Sequence, residues 1–152
     1  MKEKQEPAPM TQKMQPYLLY RDVRKALKWL RKAFDFTEFG DRFEGEDGTI
    51  QHASMRISKG GEILMMGCPG PKYKNPKKLG SSTQLLYIEV DNVDKHFARA
   101  KKAGAKILHK PEDTFYGHRR YGVADPEGHQ WYFAQHVRDV SSREMKKAAR
   151  QR

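Results

Sequence analysis

The sequence predicts an α+β fold of two βαβββ modules, their strands forming a curved mixed sheet around a cavity with the helices on the outer face. Three observations predict it. Two stretches about 70 residues apart repeat one pattern: Asp22 and Val23 with Ala26, Leu27, Leu30 and Ala33, then Asn92 and Val93 with His96, Phe97, Ala100 and Ala103. A short β-rich run precedes each, Tyr17-Leu18-Leu19-Tyr20 and Leu85-Leu86-Tyr87-Ile88. Further strand-like pieces follow each, joined by hairpin signals, so only the helices make crossovers. A cavity between such halves is the natural place for a ligand.

Residues 1–13 read as a disordered leader, polar and proline-bearing without periodicity. Gln15 to Tyr20 supplies the first strand. Asp22 caps a helix reaching about Phe34, with Val23, Ala26, Leu27, Leu30, Ala33 and Phe34 on one stripe. Phe36 to Phe43 and Ile50 to Ile57 form a hairpin around Glu46-Asp47-Gly48, and Lys59-Gly60-Gly61-Glu62 turns into a fourth strand, Ile63 to Gly67. The first module therefore spans 14–67. Residues 68–82, rich in Pro and Gly, form a linker loop that is either mobile or lies against a ligand or partner.

The second module, 83–136, repeats the order. It has a strand from Thr83 to Val90, a helix from Asn92 to Ala103 stopped by Gly104, then strands from Lys106 to His109, Arg119 to Ala124 and His129 to Gln135. Asp125-Pro126-Glu127-Gly128 is a turn signal, because Pro suits its second position and Gly tolerates positive φ. Residues 137–152 form a basic tail, in which Ser141-Ser142-Arg143-Glu144 has the form of a capping box opening a short helix.

At 152 residues, 37% apolar and 32% charged, the chain is long enough to bury its own core. It has no apolar run of bilayer length and no apolar N-terminal segment, so neither a membrane anchor nor a signal peptide is expected. The single cysteine, Cys68, excludes an internal disulfide, which makes a cytoplasmic location the default. The net charge of +11 is concentrated at the periphery. The segment 138–152 carries six basic and two acidic residues, and Lys72, Lys74, Lys77 and Lys78 share a loop without an acid. These charges read as a solvated surface. No aromatic residue is interleaved with those of the tail, as a single-strand nucleic-acid binder would require, so nucleic acid is not the expected partner.

In the order of its motifs the chain resembles the vicinal-oxygen-chelate superfamily of glyoxalases, bleomycin-resistance proteins and extradiol dioxygenases. The residues that carry the resemblance are 17–23 and 86–93 at the two module starts, 100–105, Phe115-Tyr116-Gly117-His118-Arg119, and above all Asp125-Pro126-Glu127-Gly128-His129-Gln130-Trp131. Together they cover about residues 14–136. The resemblance implies paired βαβββ modules, assembly as a homodimer and, in the enzymes, one divalent metal held by His, Glu or Gln from four strands. That metal polarises two substrate oxygens or activates dioxygen. Carried over position by position, the four ligands fall on Gln15, on Leu64 or Met65, on Leu85 and on Tyr132. Only Gln15 is a usable donor, so no metal and no cofactor are expected.

By pattern the cavity is lined by Tyr17, Leu19, Met65 or Leu64, Leu85, Tyr87 and Tyr132, with Gln15, Gln130 and Arg119 as polar candidates. That composition suits a small apolar or aromatic molecule held by stacking and shape. The Leu and Met positions read equally well as core, and Arg119 as a structural ion-pair partner. Trp131 and Phe133 alternate with Tyr132 and belong under the helices. The expected function is metal-independent binding of the bleomycin-resistance type, and no catalytic residue is assigned. The alternative is a lyase, isomerase or dioxygenase with a rearranged metal site using Gln15, His52 or Glu89.

Overall fold

The computed structural model describes residues 12–59 and 61–152. Most of the predicted leader, and Gly60 of the predicted turn, lie outside them. The chain divides between Tyr73 and Lys74 into two compact units, each built on one four-stranded mixed sheet.

The first unit runs β1 (Tyr17–Leu19), α1 (Val23–Phe34), β2 (Thr37–Glu44), β3 (Ile50–Arg56) and β4 (Ile63–Gly67), in the sheet order β1-β4-β3-β2. β1 pairs with β4 in parallel, Tyr17 opposite Met65, and the other pairs are antiparallel. All six stripe residues of α1 are buried, at the three- and four-residue spacing that brings side chains onto one helix face. The Asp22 carboxylate accepts from the Lys25 N–H at 3.0 Å, and Asp35 closes the helix in a left-handed conformation with its N–H on the Arg31 carbonyl. Gln12, assigned to the leader from sequence, is instead pinned to the sheet. Its side-chain amide donates to the Ile63 carbonyl and accepts from the Ile63 N–H, standing in for a strand neighbour.

The second unit runs α2 (Pro76–Leu79), β5 (Leu85–Glu89), α3 (Val93–Lys102), β6 (Lys106–Asp113), β7 (His118–Ala124), β8 (Gln130–His136) and α4 (Ser142–Ala149), with sheet order β5-β8-β7-β6. One face of this sheet packs on α3: Tyr121, Val123, Trp131 and Phe133 are fully buried, and the His96 and Phe97 rings lie against Tyr121. Trp131 and Phe133 are thus core, as strand alternation predicts. The turn ahead of β8 forms around Gly128 at φ +92, whose N–H donates to the Asp125 carbonyl. The buried Asp125 carboxylate accepts from the Glu127 and His129 N–H groups and from the Trp131 indole. At the C-terminus both halves of the capping box form between Ser141 and Glu144.

The linker departs most from its expectation. Its second half holds α2, capped by Asn75 with Pro76 in the first turn and Gly80 as the stop. This segment docks on its own unit: Lys77 N–H donates to the Glu127 carbonyl at 2.9 Å, and the Asn75 amide donates to the Glu127 carboxylate at 2.8 Å. A Cβ on Gly128 would stand 2.5 Å from the Lys77 nitrogen, so the turn must be glycine for α2 to approach. Glu127 and Gly128 of the turn hold this half of the linker.

Candidate functional site

Among the described residues, α1 and α3 each pack on one face of their sheet, and the opposite face carries the exposed side chains of β1 and β5. In the second unit, strand alternation places Leu85, Tyr87 and Glu89 of β5 on it, with Gln130, Tyr132 and Ala134 of β8, and Arg120 and Gly122 of β7. Leu85 stands in register with Gln130 and Tyr87 with Tyr132, so four of the residues picked from sequence form two adjacent cross-strand pairs. Leu85, which opens β5, and Tyr87 at its centre are 44% and 42% exposed, a pair of large apolar surfaces side by side in water. Tyr132, at 9%, is folded down onto the sheet. Its ring lies over Gly122, where a Cβ would stand 2.8 Å from Cζ. The Arg120 guanidinium sits over the same ring, 5.3 Å from its centroid, and His109 of β6 approaches it at 5.8 Å.

Tyr87 anchors the polar end of this face. Its hydroxyl is 2.9 Å from Nδ1 of His118 and 3.5 Å from the hydroxyl of Tyr116, which the β6–β7 turn returns to the sheet. Burial of this end, and then the Tyr116 hydroxyl beside it, push the Tyr87 phenol well above its ordinary range. On the far side of the imidazole, Nε2 of His118 lies 3.9 Å from the Glu89 carboxylate. The His136 ring lies 5.9 Å beyond. This arrangement offers rings, donors and shape, without an activated nucleophile.

The open face of the first unit is built on the same plan. Tyr17 and Leu19 are exposed, and Met65, not Leu64, is the β4 residue beside Tyr17, because Leu64 is buried on the helix side. The Tyr17 hydroxyl reaches over Gly67 to Nδ1 of His52 at 2.9 Å, and a Cβ on Gly67 would stand 2.6 Å from that hydroxyl. Phe43 packs on the same imidazole, and the Arg56 guanidinium lies over Phe39. The Gln15 amide is held by the Gln12 carbonyl, to which it donates at 3.0 Å.

Two features depart from the sequence reading. Arg119 is not on the open face: it points to α3, its guanidinium held by Asp94 at 3.1 Å and Asp113 at 3.2 Å. The structural ion-pair reading describes it. Its neighbour Arg120 takes the open face, and the signal was present, since Arg119 shares its parity with the core residues Tyr121 and Val123. The second feature is the pair of Tyr–His hydrogen bonds. Their partners lie 35 and 31 residues apart, and no local spacing announces them.

The residues at the four metal-ligand positions do not fit a divalent ion. They offer an amide bonded elsewhere, a thioether, an alkyl chain and a phenol beneath a guanidinium. Among the described residues, no three His, Cys, Asp or Glu side chains are grouped so as to hold a metal. No helix among them is long and apolar enough to cross a membrane.

Comparison with known proteins places these features in a context. The model of the Glyoxalase/Bleomycin resistance protein/Dioxygenase superfamily matches residues 14–133. An uncharacterised protein of Mycobacterium bovis is 37% identical over 138 residues, covering 89% of this chain and 90% of that one. An uncharacterised protein of Mycobacterium tuberculosis H37Rv is also 37% identical over 138 residues, covering 89% and 81%. Among solved structures, TioX from Micromonospora sp. ML1 is 35% identical, covers 82% of this chain and 98% of its own, and superposes with a TM-score of 0.66.

Proposed function

The chain belongs to the Glyoxalase/Bleomycin resistance protein/Dioxygenase superfamily, and on that premise we propose that it binds a small apolar or aromatic molecule without a metal, in the manner of a bleomycin-resistance-type protein. One observation carries the reading: Leu85, Gln130, Tyr87 and Tyr132 stand as two adjacent cross-strand pairs on a face where exposed rings and alkyl chains would otherwise be wasted in water. Stacking on Tyr87 and contact with Leu85 would supply most of the affinity, and Gln130 would orient the ligand. Tyr17 and Met65 give the first unit a smaller surface of the same kind. The protein would act as a cytoplasmic homodimer, sequestering its ligand rather than converting it.

The test is calorimetric titration with 2-naphthol before and after exhaustive treatment with EDTA, with native mass spectrometry to give the assembly mass. Affinity unchanged by chelation supports the proposal, together with a loss of about tenfold in Tyr87→Ala. Binding abolished by EDTA and restored by a divalent ion would overturn it in favour of a metal-dependent enzyme with a rearranged site.

A further inference from the structure

Two consecutive arginines on β7 have opposite fates. Arg119 spends its charge on Asp94 and Asp113 against α3. Arg120, half-buried on the open face, lies over the Tyr132 ring and forms no ion pair among the described residues. Two carboxylates share its row of the sheet. Glu112 is its register partner on β6, and Glu89 of β5 lies beyond Ala134. Both are exposed, Glu89 faces His118, and neither closes on the guanidinium. A guanidinium over a ring face is held there by the ring's quadrupole, and its N–H groups form a rigid planar fork. A fixed fork of that kind matches a carboxylate bidentately. The surface it edges onto is the one that carries Tyr87, Leu85 and Gln130.

We infer that Arg120 is a ligand-binding residue and that the ligand class is an aromatic acid: a planar ring seated on Tyr87 and Leu85, with its carboxylate on the Arg120 guanidinium. This rests on the aromatic-binding reading above and adds the charge of the ligand to it. The pairing is an attractive one because the guanidinium is already partly withdrawn from water. An incoming carboxylate meets a donor set whose desolvation has been met in the fold. Tyr132 acts here as a positioning residue, holding Arg120 from beneath, and Gly122 lets that ring lie flat.

The experiment titrates 2-naphthoic acid and 2-naphthamide, matched in ring and size, into the full chain and into Arg120→Gln, Arg120→Lys and Arg119→Gln, with melting temperatures to confirm folding. The acid is expected to bind the native chain about tenfold or more tighter than the amide, the difference that a charge-assisted hydrogen bond supplies. Arg120→Gln should erase that difference while leaving the amide within about twofold, and Arg120→Lys should recover part of it. Arg119→Gln should lower the melting temperature and keep the acid-to-amide ratio. Equal binding of acid and amide, or a ratio unmoved in Arg120→Gln, overturns the inference and leaves aromatic binding standing. Failure of both probes to bind the native chain overturns the two together.

Discussion

Adding one methyl group at Gly122 tests how the site is assembled, because two opposing effects predict opposite signs. Gly122 is mid-strand with no positive φ, so its backbone suits alanine. On backbone entropy alone Gly122→Ala should stabilise by about 0.4–1 kcal/mol. The new Cβ, however, would stand 2.8 Å from Cζ of Tyr132, 3.0 Å from Cε1 and 3.1 Å from the hydroxyl oxygen. Carbon atoms rest at about 3.5–4.0 Å, so the ring has to rise by most of an ångström or swing off the sheet. Overpacking of this kind costs about 1–3 kcal/mol. The clash wins, leaving a net loss of about 1–2 kcal/mol, or a fall of about 2–8 °C in Tm for a chain of this size. The assay is urea unfolding of four proteins: native, Gly122→Ala, Tyr132→Leu and the double variant. With the ring shortened to leucine the clash disappears, and the same Gly122→Ala change should become neutral or stabilising, a coupling of about 1–3 kcal/mol. Additive effects, or a stabilising single variant, would show that the Tyr132 ring does not rest on Gly122. The support of Arg120 from below would fall with it.

Two further outcomes follow from buried and terminal polar groups. Asp125→Ala removes the acceptor of the fully buried Trp131 indole N–H and of two turn N–H groups. A loss of about 2–4 kcal/mol in urea unfolding is expected, and a loss below about 0.5 would contradict this network. At the C-terminus, the Ser141 N–H and then its hydroxyl hold the Glu144 carboxyl below its ordinary value of 4.5. A carboxyl with a depressed folded value stabilises above its unfolded one and loses that contribution as pH falls through the folded one. Amide-exchange protection over residues 142–149 should therefore decline as pH drops below 4.5, and Ser141→Ala should remove it at neutral pH. Unchanged protection in Ser141→Ala would refute the capping account.

What the sequence disclosed was whatever local chemistry decides. The stripe of α1, its Asp22 cap, the Asp125–Gly128 turn and the Ser141–Glu144 box are each set by residues within a few positions, and all form as expected. The same local reading ended β6 at His109, but β6 continues through Pro111 to Asp113. It is an edge strand with register shifts on either side of His109, where a proline lacking its N–H takes no bond away from the ladder. The helix α2 was legible and overlooked: Asn75, Pro76 and Gly80 are its cap, first turn and stop.

The site was half legible, for a reason of parity. Along a strand, neighbours face opposite ways, so choosing Arg119 over Arg120 exchanged a residue of the α3 interface for one of the open face. The apolar pattern of β7 settles that choice, because Tyr121 and Val123 must face the helix and Arg119 goes with them. No pattern reveals that Tyr17 and Tyr87 reach across the neighbouring strand to His52 and His118. Those bonds depend on register, and in the first unit on a strand residue too small to stand in the way, Gly67. Small residues are uninformative in a one-dimensional reading, since what they do is make room. Here they decide which rings lie flat, and so which polar groups are left facing a ligand.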